Sequence, residues 1–139
     1  MAKNNPQWEE IEGKEVLVIF QGPHDYISPS WYETPGVPTW NYQAVHVYGR
    51  AELITEACKL KSIVNEFARM FESSSESPWV PEYKESILNA IIGIEIKISE
   101  VQCKYKLSQN RPEKDRRQVI EQLSKRGSVQ LSEAMRNEL

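Results

Sequence analysis

Two cysteines, two histidines and six glycines are few for a chain of 139 residues, and each shortage excludes a class of site. Cys58 and Cys103 are far apart in sequence, so there is no Cys-x-x-Cys pair to hold a zinc ion or run thiol exchange. Both are expected to be reduced and to pack as small hydrophobes. No Asp or Glu is spaced to complete a metal box with His24 or His46. His46 reads as a hydrogen-bonded core residue in mid-strand; His24, after Pro23 in a turn, is the one placed to face a ligand. There is no Gly-x-Gly-x-x-Gly and no phosphate-binding Gly-Lys-Ser/Thr loop. No apolar run approaches the roughly 20 residues of a membrane span, so no membrane partner is expected. The opening Met-Ala-Lys-Asn-Asn-Pro lacks the apolar stretch of a signal peptide. No standard helix-turn-helix is legible, and no catalytic constellation can be named.

What is present fits one globular domain over 1–139, with 40% hydrophobic residues to build a core. The net charge of −3 is unevenly placed. Residues 1–103 net −7, residues 104–126 net +5 and residues 127–139 net −1. The basic block can neutralise a phosphate, touch nucleic acid, or simply be a solvated helix face. Any direct nucleic-acid contact would run through Lys114, Arg116, Arg117, Lys125 and Arg126.

Periodicity places the elements. Asn5-Pro6 opens a helical turn with Trp8 and Ile11 inward. Val16 to Phe20 is an unbroken apolar run, expected as a strand covered on both faces. Gly22-Pro23 marks a turn, so Asp25 to Ser28 would return as a second short strand of a hairpin. Pro29 to Pro38 is a long aperiodic loop. Asn41 to Arg50 is a strand with both faces partly apolar. Thr55 to Ser73 is a helix with its seam at Ala57, Leu60, Val64, Phe67 and Phe71. A second helix is expected over 82–91, with Tyr83, Ile87, Leu88 and Ile91 inward. The run 92–107 is a long strand whose apolar positions change phase from Ile94, Ile96 and Ile98 to Val101, Cys103, Tyr105 and Leu107, so a bulge or sharp bend is expected near Ser99-Glu100. Pro112 opens a helix to Lys125 bearing Val119, Ile120 and Leu123. Gly127 stops it, and Ser128 or Ser132 caps a last amphipathic helix.

Two segments carry the candidate chemistry. The first runs Ser28-Pro29-Ser30-Trp31-Tyr32 to Thr39-Trp40-Asn41, with indole planes beside small hydroxyl and amide groups. The second is Lys106-Leu107-Ser108-Gln109-Asn110-Arg111-Pro112, two cations where a strand enters a helix. Helix N-termini attract anions, and Lys and Arg add charge-assisted hydrogen bonds. The plainer reading makes the tryptophans core and the hydroxyls turn-formers.

The words Asn5-Pro6-Gln7-Trp8, Gln21-Gly22-Pro23-His24, Ser30-Trp31-Tyr32, Pro38-Thr39-Trp40-Asn41-Tyr42 and Ser108-Gln109-Asn110-Arg111-Pro112 resemble the PaiB-type family of bacterial FMN-binding negative transcriptional regulators. The resemblance implies an α+β fold built on an FMN-binding split β-barrel with appended helices. It implies FMN as cofactor, held by Ser28, Ser30, Trp31, Tyr32, Thr39, Trp40, Asn41, Lys106, Ser108, Gln109, Asn110 and Arg111. It further implies a cytoplasmic homodimer that represses protease production and sporulation. Family members begin with a further block containing the first barrel strands, and the expectation here is a chain without it. A flavin-dependent oxidoreductase of the split-barrel type and a non-binding remnant remain as alternatives.

Overall fold

A computed structural model describes residues 1–139, the side chain of Glu85 excepted. The fold is α+β, with helices appended to a three-stranded sheet as expected. In chain order come α1 (Gln7–Ile11), β1 (Glu15–Ile27), a 3₁₀ turn (Pro29–Trp31), β2 (Thr39–Ile54), α2 (Ala57–Glu72), a second 3₁₀ segment (Glu85–Ala90), β3 (Gly93–Lys106), α3 (Glu113–Lys125) and α4 (Val129–Arg136). The sheet order is β1-β2-β3, which leaves β1 and β3 as edges among the described residues. Lys14 pairs with Ala51, while Gly22 faces Gln43, so β2 runs antiparallel to β1.

The chain divides into two compact units, and every strand passes through both. One comprises Met1–Leu17 and Tyr48–Glu100. Its buried hydrophobic residues are Ala51, Leu60, Ala68, Leu88 and Ile92. The other comprises Val18–Val47 and Val101–Leu139. Its core is Ile27, Leu107, Val119, Ile120, Leu123, Leu131 and Met135, with Trp31, Tyr32 and Ala134 packed against it. The α3–α4 pair supplies five of the seven because their apolar positions recur at helical spacing. Gly127, at φ +86°, takes the left-handed conformation that turns the chain from one helix to the next.

Several expectations are corrected. Gly22-Pro23 is not a hairpin turn: β1 is continuous from Glu15 to Ile27. Proline is tolerated there because β1 is an edge strand, where one side of the ladder needs no N–H. The apolar run of β1 is not covered on both faces: Leu17, Ile19 and Phe20 are exposed, and Val16 and Val18 are half-buried. In β3, Val101, Cys103 and Tyr105 are exposed, and of the odd-numbered apolar set only Leu107, just past the strand, is buried. Cys58 is also exposed, so neither cysteine is a packing residue. In α2 the buried face runs through Leu60 and Ala68, with Val64 half-buried. Ala57 is exposed, and Phe67 and Phe71, each 64% exposed, pair their rings at 4.6 Å on the surface. The expected helix at 82–91 is a shorter 3₁₀ segment; Leu88 is buried within it, but Ile87 is exposed.

Candidate functional site

The two sequence segments meet in the second unit. Asn41, fully buried on β2, donates from Nδ2 to Ser108 Oγ at 2.9 Å and to Met135 Sδ at 3.4 Å. Ser108 returns a bond to Asn41 Oδ1 at 3.3 Å. Every polar atom of this buried pair thus has a partner, which burial demands. Ser108 stands at φ +62°, a left-handed conformation sparsely populated by non-glycine residues. The strain is sustained because the Asn41 bonds fix the side chain, and it turns the chain sharply from β3 towards α3. Gln109 locks the same turn: its Oε1 accepts from Leu107 N–H at 2.8 Å and its Nε2 donates to the Tyr105 carbonyl at 2.8 Å.

Around this pair lies a cavity of about 150 Å³ lined by Tyr32, Val37, Thr39, Asn41, Lys106, Ser108, Asn110 and Arg111. Lys106 Nζ donates to Thr39 Oγ1. Arg111 lies flat over Tyr32, its guanidinium carbon 4.3 Å from the ring centroid, and donates to the Pro35 carbonyl at 3.4 Å. A side chain at Gly36 would put its Cβ 2.6 Å from Tyr32 Cδ2 and 3.0 Å from Arg111 Nη2, so a larger residue there would have to displace them. Neither Lys106 nor Arg111 is ion-paired with a carboxylate among the described residues. Beyond the mutually bonded Asn41–Ser108 pair, the lining offers two cations, the Tyr32 and Thr39 hydroxyls and the Asn110 amide, groups suited to an anion such as a phosphate. Its volume lies below the roughly 300 Å³ at which pockets begin to enclose a whole cofactor-sized ligand. A whole flavin nucleotide is therefore too large to be enclosed within it.

Seven of the twelve expected site residues line this cavity: Tyr32, Thr39, Asn41, Lys106, Ser108, Asn110 and Arg111. The other five lie outside its lining. Ser28 and Ser30 share a hydroxyl–hydroxyl bond at 2.8 Å in the 3₁₀ turn, Trp31 packs on the core beneath Arg126, and Gln109 holds the turn. Trp40 stands nearly half-exposed against His24 and Tyr26, with the imidazole stacked at 5.9 Å. His24 is thus on a strand and against an indole. His46 is half-buried and lines a separate cavity of about 250 Å³ with Tyr42, Ala44, Gln102, Cys103 and Lys104.

Sequence reasoning missed Asp115. It is buried in the first turn of α3, where its carboxylate accepts from Glu33 N–H at 2.9 Å and Thr34 Oγ1 at 2.7 Å. The Thr34 hydroxyl, then the Glu33 amide and the charge of Arg111, hold its carboxyl below the ordinary value of 3.8 against the effect of desolvation. An acid near a helix start is a sequence signal, but its partners 81 and 82 positions away are not. Three of the eight cations of the basic block form ion pairs. Lys114 pairs with Glu33 at 2.7 Å, Arg117 with Glu113 at 2.5 Å and Lys125 with Glu121 at 2.6 Å.

The three-stranded sheet with its appended helices is a fold shared with a solved flavocytochrome. Over 76% of its length it superposes on 48% of the flavocytochrome Anf3 of Azotobacter vinelandii, with a TM-score of 0.52 at 18% identity, a likeness of fold. Residues 1–100 match the family described as "Putative FMN-binding domain". The chain is 44% identical to protease synthase and sporulation protein PAI 2 of Bacillus subtilis, covering 99% of this chain and 70% of that protein. It is 35% identical to an uncharacterized protein of Aspergillus fumigatus, covering 82% of the chain and 54% of that protein. An uncharacterized protein of Emericella nidulans is 34% identical, over 86% of the chain and 62% of its own length. The chain belongs to the PaiB-type FMN-binding family.

Proposed function

We propose that this chain is an FMN-binding negative regulator of transcription that acts on protease production and sporulation, with the flavin phosphate in the cavity between Tyr32 and Arg111. The observation that carries the reading is the convergence of Lys106 and Arg111, neither within ion-pair distance of a carboxylate among the described residues, on a cavity rimmed by Thr39, Ser108 and Asn110. The bacterial relative, named for protease synthesis and sporulation, supports the regulatory role. Bound FMN would bring a redox-active, light-absorbing ring; the chain's own residues hold its phosphate and set its direction.

The ring lies outside so small a cavity, so a second surface must cover it. A homodimer supplies one, and the exposed apolar residues of β1 and β3, both edge strands, are suited to an interface. No helix among the described residues is long and apolar enough to cross a membrane. The cytoplasmic location is proposed from the family resemblance alone. The test is to titrate the purified chain with FMN while following flavin fluorescence and visible absorbance. Quenching with a perturbed visible band at micromolar FMN is expected; no change at high micromolar FMN overturns the reading. Turnover of a reduced nicotinamide by the loaded protein would move the assignment to a flavin-dependent oxidoreductase.

A further inference from the structure

We propose that Asp115 is a positioning residue of this site: by clamping the Glu33–Thr34 backbone to the first turn of α3, it fixes the loop that holds the Arg111 guanidinium at the cavity. The inference rests on the flavin-phosphate reading above and adds to it the part of the fold that pre-organises the phosphate contact.

The contacts form a closed circuit. Arg111 has three neighbours in the loop: the Tyr32 ring below it, the Pro35 carbonyl at 3.4 Å, and Gly36, whose missing side chain makes room for Nη2. None is a strong tether. The Pro35 bond is at the long limit of a hydrogen bond, and a cation on a partly exposed ring is worth about 0.5–1 kcal/mol. The loop itself carries Pro35 and Pro38 and no regular structure from Tyr32 to Pro38. What holds it is α3. Asp115 takes the Glu33 amide and the Thr34 hydroxyl, Lys114 pairs with the Glu33 carboxylate at 2.7 Å, and Gln118 donates to it at 3.1 Å. Of these, only Asp115 is buried, and only it grips the backbone. Arg111 lies four residues before Asp115, so one short segment supplies both the cation and the clamp on its cradle.

Charge and position predict opposite signs. Asp115 is an anion close enough to Arg111 for the two charges to interact, and removing it strengthens the local field for a phosphate dianion. If the field decides, Asp115→Asn binds FMN more tightly. If position decides, the variant binds FMN more weakly, because an unclamped loop must be ordered by the ligand. An amide can no longer accept both bonds with a full charge, so the clamp is loosened without a change of shape.

The experiment compares dissociation constants for FMN and riboflavin, which share the ring and differ in the phosphate, in the full chain, Asp115→Asn and Thr34→Val. The expected result is an FMN affinity about tenfold weaker in Asp115→Asn and several-fold weaker in Thr34→Val, with riboflavin affinity unchanged within about twofold. Equal losses for both ligands would mean general damage to the fold and overturn the proposal, as would unchanged or tighter FMN binding in Asp115→Asn. Failure of the unmodified chain to bind FMN would overturn the phosphate reading and this inference together. If Asp115→Asn does not fold, the Thr34→Val comparison decides alone: an unchanged ratio of FMN to riboflavin affinity overturns the proposal.

Discussion

The amide of Asn41 and the hydroxyl of Ser108 meet at 2.9 Å across 67 positions of sequence, and the bond joins the two segments that build the cavity. Because both are buried, the pair is structural as well as positional. Replacing Asn41 with Ala leaves the Ser108 hydroxyl without its partner, which costs about 1–3 kcal/mol before any cavity effect. Denaturant unfolding of Asn41→Ala is expected to show a lower midpoint at similar slope. A midpoint equal to that of the unmodified chain would mean that water replaces the amide and that the pair is dispensable.

Gly36 tests the cradle by crowding rather than loosening it. An added Cβ comes within 2.6 Å of the Tyr32 ring, so Gly36→Ala must displace the ring or the loop. FMN affinity is expected to fall by about tenfold while thermal unfolding shifts by only a few degrees, since the loop lies outside the core. Equal FMN binding in the variant would show that Tyr32 and Arg111 are free to move aside.

Asp25 provides a pH signature in the same unit. Burial raises its carboxyl, but the Ser128 hydroxyl, the Tyr26 amide and the charges of Arg126 and His24 outweigh it and hold the group below 3.8. A carboxyl depressed in the folded state stabilises the fold above its unfolded value and loses that contribution as pH falls through the folded value. Ser128→Ala removes the strongest of the lowering contacts. The variant should therefore melt lower than the unmodified chain at neutral pH, and the gap should close as pH falls through the depressed folded-state value of Asp25 and the carboxyl protonates in both. A gap that persists undiminished in acid would assign the Ser128 effect to the start of α4 instead.

The same two segments show what sequence can and cannot reveal. The helices α3 and α4 were legible because Val119, Ile120, Leu123, Leu131 and Met135 repeat at helical spacing and Gly127 interrupts them. The site segments were legible by composition, since hydroxyls, amides and cations crowd into short stretches. Two kinds of feature were not. Gly22-Pro23 carries the local signature of a turn, but whether a proline ends a strand depends on whether that strand is an edge, a tertiary fact. The apolar positions of α2 and β3 predict a covered face, but periodicity does not say whether a partner element exists; Phe67, Phe71, Val101 and Tyr105 remain exposed. Asp115 was hidden for a related reason, since its partners come from a loop without periodicity.

The basic helix offers a prediction about nucleic acid. With Lys114, Arg117 and Lys125 each paired to a carboxylate, the face of α3 presents less free positive charge than its composition suggests. Electrostatic binding to a duplex is steeply weakened by salt, so such a face is expected to give no measurable affinity at about 150 mM salt. Replacing Arg116 and Arg117 with Ala should leave duplex binding unchanged at low salt. A loss of binding in that variant would restore α3 as a direct phosphate-contacting surface.

The central claim is that Lys106 and Arg111 receive the phosphate of FMN, and phosphorus NMR observes that group itself. The FMN phosphorus resonance should shift and broaden on addition of the chain, and the change should disappear when Lys106 and Arg111 are both replaced with Ala. Fluorescence quenching that reports FMN bound to the unmodified chain while its phosphorus signal stays that of free FMN would contradict the account.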